Sequence, residues 1–137
     1  MKKLILILLS TILLAQNNCD DNPVKPENQY PVILSLTVFP DVIGLQDSVI
    51  IICNAYDPDG DTLVYDWITD GRLKLQGTRD YEHSLYHTYE NSRIVYPTQY
   101  VNLPIDTVWV QCVTRDVKGG SDGRVIRFVV QQDLGGG

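Results

Sequence analysis

The side chains of this sequence that could do chemistry are acids, tyrosines, two histidines and three cysteines. Asp57, Asp59 and Asp61 alternate in the run Asp57-Pro58-Asp59-Gly60-Asp61, and Asp116 follows much later. Carboxylates clustered in this way supply the hard oxygen ligands that calcium takes. The order is not that of an EF-hand loop, which needs glycine at its sixth position and glutamate at its twelfth. The same run also builds a plain turn: aspartates bond their own backbone, Pro58 presets φ and Gly60 admits positive φ. His83, His87 and Glu90 have a spacing that would align three zinc ligands on a helix. However, Glu82-His83 is not the His-Glu-x-x-His order, and Tyr81–Tyr89 has no helical periodicity, so loop histidines are expected. Tyr81, Tyr86, Tyr89, Tyr96 and Tyr100 crowd one stretch. With Trp109, the first three and Tyr100 are candidates for a surface that stacks on sugar rings or a protein partner. The competing reading turns Tyr96 and Tyr89 inward to close the edge of a fold. No serine sits in a Gly-x-Ser-x-Gly elbow and no glycine-rich phosphate loop is present, so no enzyme is expected. An acid in every turn is ordinary in an acidic sandwich and does not by itself signal glycoside hydrolysis.

The elements that must carry these residues read as short strands between turns. Tyr30–Phe39 alternates, and the hydroxyls of Ser35 and Thr37 place Val32, Leu34, Leu36 and Val38 on the core face. Pro40 ends that strand. In Ser48–Tyr56, Val49, Ile51, Cys53 and Ala55 share a face, with Ile50 and Ile52 opposite. Thr62–Ile68 sets Leu63, Tyr65 and Trp67 against Val64 and Asp66. Leu73 and Leu75 point inward from Arg72–Gln76. Further strands are read at Ser92–Tyr96, Ile105–Thr114 (Val108, Val110 and Cys112 inward) and Arg124–Gln131 (Ile126, Phe128 and Val130 inward). The segment 77–91 is the least regular. About seven strands and no helix make an all-β sandwich.

Cys53 and Cys112 on separate strands, with Trp67 on the strand between, resemble the core of an immunoglobulin-type sandwich. Asp57-Pro58-Asp59-Gly60-Asp61-x-Leu63-x-Tyr65-x-Trp67 is similar to the second and third strands of bacterial PKD-type and related Ig-like domains. Val108-x-Val110-x-Cys112-x-Thr114-x-Asp116-x-Lys118-Gly119-Gly120 resembles their last hairpin, and Asp70-Gly71 falls at their turn after the tryptophan. The resemblance covers residues 30–131. It implies an immunoglobulin-like, PKD-type antiparallel sandwich with a Cys53–Cys112 disulfide across the sheets and Trp67 packed on it. Such a bridge would close a loop of about sixty residues and contribute roughly 4 kcal/mol by chain entropy. It also implies that the acidic turn and Asp116 lie at one end. Val110 stands where antibody-type domains have tyrosine, which argues against that subtype.

The ends of the chain speak to location. Lys2 and Lys3 precede the apolar stretch Leu4–Leu14, which is too short to span a bilayer and reads as an export signal. Cys19, followed by Asp20, Asp21 and Asn22, resembles the lipidated cysteine of a bacterial lipoprotein, although Gln16-Asn17-Asn18 replaces the usual small residue; cleavage after Ala15 is the alternative. With Cys53 and Cys112 paired, Cys19 is the odd cysteine. The expected organisation is therefore signal peptide 1–18, lipidated Cys19 and flexible tether to 28, sandwich 29–132 and tail 133–137. Eleven Lys and Arg against seventeen Asp and Glu give net charge −6. That balance disfavours nucleic acid and is compatible with bound cations. The expected protein is a non-catalytic lipoprotein at the periplasmic or outer surface of the cell envelope. It is anchored to the membrane by its lipid and binds a protein or glycan partner, with no cofactor beyond the calcium the acidic turn would take.

Overall fold

The computed structural model describes residues 24–78, 85–98, 101 and 104–132. Among the described residues nine strands follow in order: β1 (Val32–Phe39), β2 (Val42–Gly44), β3 (Val49–Tyr56), β4 (Val64–Thr69), β5 (Leu73–Leu75), β6 (Tyr86–Thr88), β7 (Ser92–Pro97), β8 (Ile105–Arg115) and β9 (Ser121–Gln131). One sheet has the order β1-β3-β7-β5 and the other β2-β9-β8-β4-β6. All pairings are antiparallel except β2 with β9. At Pro40, which cannot donate to a ladder, the chain leaves the first sheet and joins the second as β2. After β4 it crosses to β5, returns to β6 beside β4, and crosses again to β7. The short strands β2 and β6, absent from the sequence reading, account for the excess over the seven expected.

Period-two patterning explains the core. Val49, Ile51 and Cys53 of β3 are sealed, while Ile50 and Ile52 between them stay about 40% exposed (39% and 41%). Facing them from the second sheet are Trp67 of β4, Val108, Val110 and Cys112 of β8, and Phe128 and Val130 of β9. Trp67 is fully buried, and its indole N–H donates to the Glu90 carbonyl at 3.4 Å.

Two expectations are corrected. In β1 the register shifts between Ile33 and Ser35, so Ile33 is fully buried and Leu34 is 55% exposed; only Leu36 and Val38 of the expected face pack on the core. An extra residue in one strand reverses the alternation on one side of it. The backbone groups freed there are satisfied by β9: Ile33 N–H donates to Asp122 Oδ2 at 2.8 Å, and the Leu34 carbonyl accepts from Arg124 at 3.1 Å. The second correction concerns the expected disulfide. Cys53 and Cys112 do meet between the sheets, but at 3.5 Å, beyond the ~2.05 Å of an S–S bond. Both are free, buried thiols. They fit the interlayer as a sulfur–sulfur hydrogen bond, which with burial pushes the Cys112 thiol up.

Trp67 is the largest fully buried side chain and is the cross-strand partner of Cys112. Trp67→Ala should lower the unfolding free energy by about 3–5 kcal/mol. This is measurable as a reduced midpoint in urea at unchanged slope. A loss below about 1 kcal/mol would mean that the indole is not central to the core.

Candidate functional site

The chain uses its acids at both ends of the sandwich. At the first end, the β3–β4 connection brings Asp57, Asp59 and Asp61 together, with carboxylate oxygens within 4.8 Å of one another. Each has a partner within the fold. Asp57 Oδ1 accepts from the N–H groups of Asp59 (2.8 Å) and Asp61 (3.2 Å), as expected for a turn aspartate. Asp59 takes both the backbone and the side-chain N–H of Gln29, at 2.8 and 3.0 Å. The bond from the Gln29 backbone leads the effects that hold its carboxyl below the usual range. Lys118 reaches across from the β8–β9 hairpin to Asp61 at 2.8 Å, and this bond raises the lysine's own pKa. Asp57 Oδ2 is buried without a hydrogen-bond partner.

Asp116 is at the same end but outside that cluster. Its Oδ1 accepts from the N–H groups of Lys118 (2.7 Å) and Gly120 (2.9 Å), and its Oδ2 from Asn28 at 2.8 Å. The Asn28 bond is the leading cause of its lowered pKa. A side chain at Gly120 would strike the Asp116 carboxylate and come within 2.8 Å of the Tyr30 ring, so the hairpin requires glycine there. The four aspartates therefore do not converge as one ligand set. A calcium ion among the first three would have to displace the Lys118 ammonium. A cavity of about 780 Å³ adjoins, lined by residues 27–30 together with Pro58, Lys118 and Gly120. Asn28, the last residue of the segment read as a tether, is thus tied into the domain beside Gln29.

At the opposite end, Arg72 bridges the sheets. Leading into β5, it pairs with Asp70 (2.8 Å) and with Asp106 of β8 (2.5 Å), and it donates to the Thr107 carbonyl at 3.2 Å. The Asp70 bond leads in raising its pKa. Asp70 also accepts from the Trp109 backbone N–H at 3.2 Å. Sequence reading placed a turn at Asp70-Gly71 but had no signal for the distant partner Asp106.

A third cluster lies on the outer face of the second sheet. Buried Asp66 of β4 bonds His87 of β6 at 2.7 Å and Arg115 of β8 at 2.5 Å. Burial raises the Asp66 pKa, but the bonds to Arg115 and His87 outweigh it and hold the carboxyl below its usual range. His87 is thus engaged by a carboxylate on a neighbouring strand. His83 lies outside the described residues, so the zinc spacing is not seen as a unit.

The aromatic candidates are divided. Tyr81 and Tyr100, like Cys19, lie outside the described residues. Tyr86 pairs with Trp67, packs on the core and carries the Arg93 guanidinium 4.0 Å from its ring centre. Tyr89, just past β6, is 72% exposed. Trp109 is half-buried on the outer face of β8, opposite in parity to Cys112. Tyr86, Tyr89 and Trp109 do not line up as one stacking platform. Arg93 points inward because its partner Ile51 does, and no signal in the sequence marked it.

Two outcomes follow. Asp59, Asp66 and Asp116 are all held low, so their stabilisation is complete above the unfolded value near 4 and is lost as pH falls through the folded values. Thermal midpoints should be flat at neutral pH and drop below about pH 4. Asp66→Asn should shallow that acid limb and cost about 1–2 kcal/mol at pH 7, modest because His87 and Arg115 are exposed. An unaltered acid limb in the variant would remove Asp66 from the account. In the second test, millimolar calcium against chelator should leave the parent midpoint unchanged, whereas Lys118→Met should acquire a calcium-dependent rise. A rise in the parent would show that calcium competes with the lysine.

No family model matches the chain, and no curated protein matches its sequence. Among solved structures, the PKD1 domain of Vibrio anguillarum Epp is 21% identical with a TM-score of 0.50, covering 77% of this chain and 99% of that one. A structure described as a carbohydrate-binding module of the β-sandwich superfamily is 22% identical with a TM-score of 0.52, over 80% of this chain and 38% of that one. A nucleoside hydrolase-related protein from Saccharophagus degradans, associated with carbohydrate metabolism, is 18% identical with a TM-score of 0.51, over 77% and 26%. The chain therefore spans well under half the length of the last two. At these identities the likeness is one of fold: this chain is a two-sheet β-sandwich similar in fold to the PKD1 domain and to the β-sandwich carbohydrate-binding module structure.

Proposed function

We propose that this chain is a non-catalytic lipoprotein of the cell envelope whose sandwich is an assembly module that docks protein through a sheet face. The observation that carries this reading is the outer face of the first sheet. Cross-strand rows place Phe39, Ile50 and Ile94 side by side, with Ile52 in the row on one side and Tyr96, beside Lys74, in the row on the other. Phe39 is 76% exposed, and Leu34, Ile50, Ile52 and Tyr56 are exposed as well. Among the described residues of that face, Lys74 is the one charged side chain, in a chain where 20% of residues are charged. Apolar surface gathered in this way marks an interaction site. Asp57, Asp59, Asp66, Asp70, Asp116 and Asp122, in contrast, cap turns or join strands, which suits a scaffold better than a reaction centre.

The export signal and Cys19 support an envelope location. Only residues 20–27 separate Cys19 from Asn28, which is fixed to Asp116. Even fully extended they span about 30 Å, so the acidic end would lie nearest the membrane. A diacylated or triacylated cysteine holds a protein stably at a bilayer, unlike a single chain.

Cys19→Ser should abolish incorporation of labelled fatty acid and release the chain from membranes; label retained in the variant would refute the anchor. A photo-crosslinking amino acid at Thr37, on the apolar face, should give a protein adduct in intact envelopes. The same group at Gln111, on the outer face of the other sheet, should give none. The reverse pattern would overturn the docking face.

A further inference from the structure

We infer that the occupant of this apolar face is a second copy of the chain, packed sheet to sheet about a two-fold axis. The inference rests on the docking face proposed above and names its partner.

Charge is the first argument. Two copies each carry net charge −6 and repel wherever charged surfaces meet. The outer face of the β1-β3-β7-β5 sheet is where that repulsion is least, since Lys74 is its one charged residue among those described. It also offers no fixed pattern of charge for a charged partner to match. An isologous contact needs only a patch complementary to itself. The row Phe39–Ile50–Ile94 is wholly apolar and the row Thr37–Ile52–Ser92 sets one isoleucine between two small hydroxyl side chains, a ridge and a shallower row that let two such faces interdigitate at the ~10 Å spacing of stacked sheets.

The second argument is that strand-to-strand addition is hindered at the edges of this sheet. Asp122 and Arg124 already hold the Ile33 N–H and the Leu34 carbonyl at the bulged end of β1. The opposite edge, β5, is three residues long. Edges blunted by bulges, charges and shortness discourage pairing, which leaves the face as the route.

Size sets the strength. Three strands of six to eight residues and the three-residue β5, about 4.8 Å apart, make a face of roughly 400 Å² in projection. A stable interface buries about 800 Å² per partner. The dimer is therefore weak and concentration-dependent, suited to copies crowded on one membrane.

The test uses the full chain in the envelope of the producing cell, made as two differently tagged copies, with the photo-crosslinker at Thr37. The expected adduct has twice the chain's mass and carries both tags. With the crosslinker moved to Ile52, adding Thr37→Glu should cut the adduct at least about tenfold, because like charges would then face each other at the contact. Thr37 is exposed, so the variant should keep the parent's protease resistance. An adduct with a different protein would overturn the self-association while leaving the docking face standing. No adduct at Thr37 at all would overturn both. A two-tag adduct unaffected by Thr37→Glu would place the contact elsewhere and also refute the inference.

Discussion

The structure depends on one packing constraint: two sheets must close over an indole. Trp67 has no exposed surface, and its neighbours Cys112, Cys53, Val110 and Ile51 are equally sealed. Because β4 carries Trp67 and also pairs with β6 and β8, its burial fixes how the second sheet lies against the first. The Cys53–Cys112 contact is part of this layer. It works as packed sulfur without a covalent bond, so the hydrophobic area around the indole carries the cohesion. Tyr65, with its hydroxyl pKa raised by burial, extends the same layer.

Around that layer, the ends are closed by carboxylates. Asp116 turns the last hairpin and holds Asn28; Asp59 holds Gln29; Asp70, in the turn after β4, and Asp106 of β8 grip Arg72, which leads into β5 of the other sheet. Asp122 caps the bulge of β1. These bonds explain how a strongly acidic chain can fold with so many carboxylates in place: several are neutralised or hydrogen-bonded at sites that order loops. An acid-rich composition here serves joinery between strands, and the Asp57–Asp61 turn ties its acids to backbone, Gln29 and Lys118.

Much of the fold was legible because alternation is a local property. The inward faces of β3, β4, β8 and β9 follow directly from residues two apart, and the positions of Trp67, Cys53 and Cys112 at the centre follow from parity. β1 was misread because a bulge inserts one residue without changing composition, and its cause lies in Asp122 and Arg124, some ninety residues away. β2 and β6 were missed because Val42–Gly44 and Tyr86–Thr88 show no apolar alternation, whereas the equally short β5 was legible from Leu73 and Leu75. The acidic end was legible as a turn. Its lysine lid was not, since Lys118 is separated from Asp61 by most of the sandwich. The docking face was half visible: Ile50 and Ile52 stood out as apolar residues on the wrong side of β3, but their joining with Phe39 and Ile94 is a matter of register.

The clamp formed by Asn28 and Gln29 has a mechanical consequence. The chain enters the sandwich at the acidic end, and β9 runs from Ser121 at that end to Gln131 at the Arg72 end. Tension applied through the leading segment is therefore borne first by the Asp116 and Asp59 side chains. Only after these yield does the load reach the ladder between β1 and β3, which it meets lengthwise, so that its hydrogen bonds share the strain and do not peel one at a time.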